Sequence, residues 1–126
     1  VHELHPTMRQ LKKLLAEKGR LFIAVPNYTC YDEKVYESYW AAYDVPRHLY
    51  HFSPESMKKL ANKHGLTIQD YKPMWFDSFY ISLLSSKYRG GATNWPGAIL
   101  NGLRSNIKAL TNKDYCSSLT YIISKK

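Results

Sequence analysis

The chain has 126 residues, with 18 lysines and arginines against 10 aspartates and glutamates, a formal charge of +8, and 44% apolar residues. That is enough apolar matter for one packed core. The longest apolar run, Leu21 to Val25, falls far short of the about 20 residues that a membrane-spanning helix needs. An excess of positive charge can attract nucleic acid or anionic membrane, but the lysines are scattered over polar helix faces, so specific nucleic-acid binding and membrane attachment are not expected.

Cys30 and Cys116 lie far apart and form no metal or redox spacing, which reads as reduced thiols of a cytoplasmic protein. The pair His2 and His5 flanks Glu3 and Leu4, but a zinc-binding helix needs histidines four apart, and Pro6 follows at once. No metal is expected. The start at Val1, without methionine or a basic-then-apolar leader, reads as a truncated or processed product.

From Pro6 to Lys18, Met8, Leu11, Leu14 and Leu15 recur at helical spacing, with Gly19 just past the end. Leu21 to Val25 then reads as a short strand buried on both faces and stopped by Pro26. Residues 27–52 form a long aromatic connection with one helical turn expected near Lys34 to Ala41. Ser53-Pro54-Glu55 opens a helix that ends at Gly65, and Leu66 to Lys72 alternates as an edge strand. A further helix carries Phe76, Phe79, Tyr80, Leu83 and Leu84 and closes at Gly90-Gly91. Another spans about Gly97 to Leu110, with Ile99, Leu100, Leu103, Ile107 and Leu110 expected on its inner face. Ser118 to Ser124 is the last strand. The order is α/β.

Three stretches carry a resemblance. "LLAEKGRLFIAVPN", Leu14 to Asn27, resembles the segment that enters the fifth strand of class I S-adenosylmethionine-dependent methyltransferases. "YWAAYDVPRHLYHFSPESMKKL", Tyr39 to Leu60, is similar to the W-x-x-x-D-x-P-x-H-x-x-x-F-S block of that family's ubiquinone-biosynthesis-like branch. "ANKHGLTI", Ala61 to Ile68, resembles its approach to the sixth strand, and the opening "VHELHP" resembles the end of its segment after the fourth. The resemblance covers about Val1 to Ile68, and Glu17-Lys18-Gly19 stands where the family has a Pro-Gly-Gly turn.

The resemblance implies that residues 1–126 are the C-terminal part of a Rossmann-like methyltransferase fold. It implies a mixed three-stranded sheet, strands five, seven and six, with flanking helices. The family's glycine-rich turn and acidic strand end, which hold the cofactor, have no counterpart here: no G-x-G occurs. S-adenosylmethionine is therefore the cofactor expected of the complete protein and not of this chain, which is expected to be inactive alone.

Within the matched block, His48 is a candidate base, with Asp44 as its orienter and Arg47 as the holder of an anionic substrate group. The competing reading pairs Asp44 with Arg47 to hold the loop. Trp40, Tyr43 and Tyr50 are candidates to line a pocket for a small-molecule methyl acceptor, or else packing anchors. Asn27 is either a substrate contact or a turn residue. The acceptor atom, oxygen or nitrogen, and the acceptor itself stay open. The alternative function is a small basic RNA- or protein-binding module. The edge of strand 21–25, left unpaired, is expected to recruit a second copy.

Overall fold

The computed structural model describes residues 2–126; Val1, the first residue of the opening matched segment, lies outside them. Eight regular elements follow one another: α1 (Leu4–Leu14), β1 (Leu21–Pro26), α2 (Tyr31–Tyr36), α3 (Pro54–Lys63), β2 (Leu66–Pro73), α4 (Asp77–Gly90), α5 (Trp95–Thr111) and β3 (Ser118–Lys125). No helix among the described residues is long and apolar enough to cross a membrane.

Helix boundaries follow local chemistry where a cap is present. The Ser53 hydroxyl accepts from the Ser56 amide, and the Ser56 hydroxyl accepts in turn from the Ser53 amide, so two orphan donors at the start of α3 are satisfied together. Gly65, at φ +66°, turns the chain from α3 into β2, and Gly91, at φ +71°, closes α4. Where the cap is weak the reading slips. The expected helix to Lys18 stops at Leu14, because Leu15 is already extended and no capping glycine sits there; Gly19 instead closes a turn onto the Ala16 carbonyl.

The sheet runs β1-β3-β2, with the last strand in the middle. Both ladders are antiparallel: Leu21 faces Ile123 on one side of β3, and Leu66 faces Lys125 on the other. The expected arrangement, with the last strand inserted antiparallel between two strands that run the same way, is the one observed: β1 and β2 never touch, so both ladders are antiparallel. One face of the sheet buries Leu119, Tyr121 and Ile123 against Met8 of α1 and Met57, Leu60 and Ala61 of α3. The six large side chains among these are each worth about 1.5–3 kcal/mol on burial.

The opposite face is open. Phe22, opposite Ile122 in register, is 61% exposed, and Ala24 is exposed as well. Strand β1 was expected to be buried on both faces; it alternates instead, since helices cover one face only and no strand pairs with its outer edge among the described residues.

Helices α4 and α5 pack through small residues. Helix α5 turns Ala98, Gly102, Ser105 and Ala109 inward, and α4 presents Ser78, Ser82 and Ser85. A Cβ on Gly102 would lie 2.7 Å from Phe79 Cδ1 and 3.1 Å from Phe79 Cα, which is why the position is glycine. The expectation that Ile99, Leu100, Leu103, Ile107 and Leu110 face inward is overturned: they are between 47% and 75% exposed. Close approach of two helix backbones demands small side chains at the contact, and that stripe displaces the large ones outward.

Candidate active site

The connection 27–52 is built, not loose. Asn27, directly after β1, donates from Nδ2 to the carbonyls of Asp114 (2.6 Å) and Cys116 (3.1 Å), and its Oδ1 accepts from the amide and hydroxyl of Thr29. Its backbone bridges in parallel to Phe52, which closes the loop on itself. At 1% exposure, Asn27 spends its side chain on holding the start of the loop to the segment before β3. Trp40 is equally buried and packs with Cys30, Tyr36, Ala42 and Ile81. Of the two readings open for each residue, turn residue and packing anchor describe the contacts seen.

Helix α4 carries the next part of the loop. The Ala41 amide donates to Ser85 Oγ (2.8 Å), which itself donates to the Ile81 carbonyl. Tyr43 stands edge-on to Trp40 and His51, with ring centroids 5.1 and 4.9 Å away, and its hydroxyl donates to Glu33 Oε1 (2.8 Å). Burial, and then the neighbouring Glu33 carboxylate, push the Tyr43 phenol up to about 12, so it stays a donor at neutral pH. Tyr43 is therefore anchored by two rings and at its tip.

Asp44 adopts φ +38°, a conformation that aspartate tolerates better than most residues, and its carbonyl accepts from the amides of Arg47 (2.7 Å) and His48 (3.0 Å). The Asp44 carboxylate lies 3.5 Å from Arg47 Nε. As an exposed pair this contributes at most about 1 kcal/mol. The His48 imidazole bonds through Nδ1 to the Ala42 carbonyl at 2.9 Å. A carbonyl only accepts, so Nδ1 carries the proton and Nε2 of the neutral ring keeps its lone pair. The partner of Nδ1 is thus the Ala42 backbone carbonyl, where the Asp44 carboxylate was expected.

Asp44, Arg47 and His48 converge on a cavity of about 380 Å³ beside Pro26, at the end of β1, whose far wall is Asp77, Tyr80, Leu84 and Tyr88 of α4. Sequence reasoning missed this wall; the signal was present as an acid, two tyrosines and a leucine spaced 77, 80, 84 and 88 along one helix face. Tyr50 lies elsewhere. Its hydroxyl donates to the His2 carbonyl (3.0 Å), and its ring lines an apolar groove of about 450 Å³ beside β1, with Met8, Leu11, Phe22 and Met57. Arg47 and His48 line both spaces and so form the partition between them.

Behind the loop lies a buried polar cluster. Asp32, fully buried on α2, accepts from the Ser117 hydroxyl, which also bonds Ser78 Oγ at 3.1 Å. Burial raises the Asp32 carboxyl to about 6 against the opposing pull of Ser117. Asp32 Oδ1 and the Ser105 hydroxyl lack partners in good geometry, although Ser105 is near enough to favour the charge. Cys30 and Cys116 are free, buried thiols, and burial pushes both up, which disfavours their thiolate forms. No group of three or more metal-binding side chains occurs among the described residues.

A family model described as a methyltransferase domain matches residues 1–71, more than half of the chain. No curated protein and no solved structure matches it.

Proposed function

This chain belongs to the methyltransferase-domain family, and from that premise we propose that it supplies the acceptor-facing part of an S-adenosylmethionine-dependent methyltransferase acting on a small molecule. The observation that carries the reading is the convergence of Asp44, Arg47 and His48, from the matched segment, with Tyr80 and Tyr88 of α4 on one cavity at the end of β1. In open α/β folds, ligands bind at the carboxyl ends of strands. The β1-β3-β2 order then corresponds to strands five, seven and six of a Rossmann-like methyltransferase.

The roles follow from geometry. His48, its Nδ1 proton held by Ala42, presents Nε2 to take the proton of an acceptor hydroxyl or amine. Arg47, largely exposed and only loosely paired with Asp44, binds an anionic group of the acceptor. Tyr80 and Tyr88 supply aromatic walls that orient it.

The residues of this chain do not fit a methyl donor. None of the six glycines follows a strand to let backbone approach the donor, and the residue that does follow β1, Asn27, has its side chain fully engaged. When bound, S-adenosylmethionine would supply the electrophilic methyl group, and residues other than these would hold it. The outer edge of β1, unpaired among the described residues, is where a further strand would join, and in the isolated chain a second copy would take that edge. The reading is tested by titrating S-adenosylmethionine into the 126-residue chain. No saturable heat is expected, and binding in the micromolar range would overturn the division of labour.

A further inference from the structure

Against the expectation from the scattered lysines that the chain has no membrane contact, we infer that the outward face of α5 docks on an anionic phospholipid surface. Ile99, Leu103, Ile107 and Leu110 recur every three or four residues along it and are 48% to 75% exposed, so they form one continuous apolar stripe rather than scattered surface residues. The stripe has two unlike borders. On one side Asn106 donates to the Trp75 carbonyl (2.9 Å), which fixes the turn bearing Trp75 and Phe76 beside it; Phe76 is 89% exposed. On the other side stand Arg104 and Lys108. Arg104 is exposed and makes no ion pair among the described residues, and Lys108 Nζ lies 4.2 Å over the Tyr31 ring.

Leucine and isoleucine flanked by tryptophan and phenylalanine on one side and by two cations on the other is the chemistry of a helix lying in a membrane interface. Charge decides the occupant. Helix α5 contains no acidic residue, so a second copy laid on the stripe would set Arg104 and Lys108 against their like. An anionic lipid surface meets both the stripe and its basic border. The helix is neither long nor apolar enough to span, so the contact is peripheral.

The test is sedimentation of the chain with phosphatidylcholine vesicles and with vesicles that also contain phosphatidylserine. Partitioning onto the mixed vesicles is expected to be stronger by roughly thirtyfold, the effect of two basic side chains near an anionic surface, and to fall as salt is raised. Leu103→Glu and Ile107→Glu, both at exposed positions, are expected to abolish it with the melting temperature unchanged. The pair Arg104→Gln and Lys108→Gln is expected to remove only the preference for phosphatidylserine. Equal partitioning onto both vesicles, no partitioning at all, or a dimer that Leu103→Glu dissociates would each overturn the inference.

Discussion

Replacing Asn27 separates a residue that holds the fold from one that touches substrate. Asn27→Ala removes four hydrogen bonds, two donated to the carbonyls of Asp114 and Cys116 and two accepted from Thr29. At about 1 kcal/mol for each bond, the loss comes to about 4 kcal/mol. For a domain of this size that is a drop in melting temperature of roughly 12–20 °C. Asn27→Asp keeps the acceptors for Thr29 but aims a carboxylate oxygen at two carbonyls. The introduced carboxyl therefore binds a proton more tightly in the folded chain than in the unfolded one. Its folded pKa is raised, so the variant is most stable below about pH 4 and loses stability as pH rises through the raised value. Thermal melts followed by circular dichroism from pH 4 to 8 read both effects. A melting temperature for Asn27→Ala within about 2 °C of the parent chain would refute the structural role and return Asn27 to the list of substrate contacts.

Other outcomes follow from the same contacts. Asp32, raised to about 6 by burial, holds its proton more tightly folded than unfolded, so the chain should lose stability as pH rises from about 4 through 6. Asp32→Asn should flatten that slope in urea titrations, and an unchanged slope would exclude Asp32 as its source. Gly102→Ala should lower the urea midpoint by the equivalent of about 1 kcal/mol. The gain of about 1 kcal/mol in helix propensity is outweighed by overpacking against Phe79, whose Cα lies too near to yield. A stabilised variant would contradict the close α4–α5 contact. Tyr43→Phe removes the bond to Glu33 and should cost about 1 kcal/mol in the same titration, with no change in the far-ultraviolet spectrum.

How far the sequence alone reaches differs from element to element. Ser53-Pro54, Gly65 and Gly90-Gly91 mark helix ends through capping chemistry that acts within a few residues, and the observed ends of α3 and α4 agree with them. The strand segments Leu21 to Val25, Leu66 to Lys72 and Ser118 to Ser124 are each within one residue of the observed bounds. What fails is what depends on partners far along the chain. Helix α5 carries two stripes of equal period, one large and apolar and one small, and hydrophobicity alone selects the wrong one for the interior. Only the serines of α4, some twenty residues upstream, make the small stripe the buried one.

The candidate site shows the same division. Asp44, Arg47 and His48 are adjacent in sequence and meet in one cavity, but Tyr80 and Tyr88 join them only through packing of α4 on the loop. His48 takes its orientation from the Ala42 carbonyl, a backbone group that residue types do not reveal. Tyr50 and Trp40, selected as aromatics in a loop, turn out to be placed by the apolar contacts that every large ring seeks: one in the groove beside β1, the other in the core.

The central claim is that the cavity between the 44–48 turn and α4 receives the methyl acceptor. Methyl-transfer kinetics of the protein that bears both this chain and the donor-binding residues test it most directly, with acceptor concentration varied. His48→Gln is expected to lower kcat by about 10²-fold or more with little change in the KM of the acceptor, and Tyr80→Ala to raise that KM with a smaller effect on kcat. Parent-like kcat and KM in both variants, at unchanged melting temperature, would place the acceptor somewhere other than this cavity.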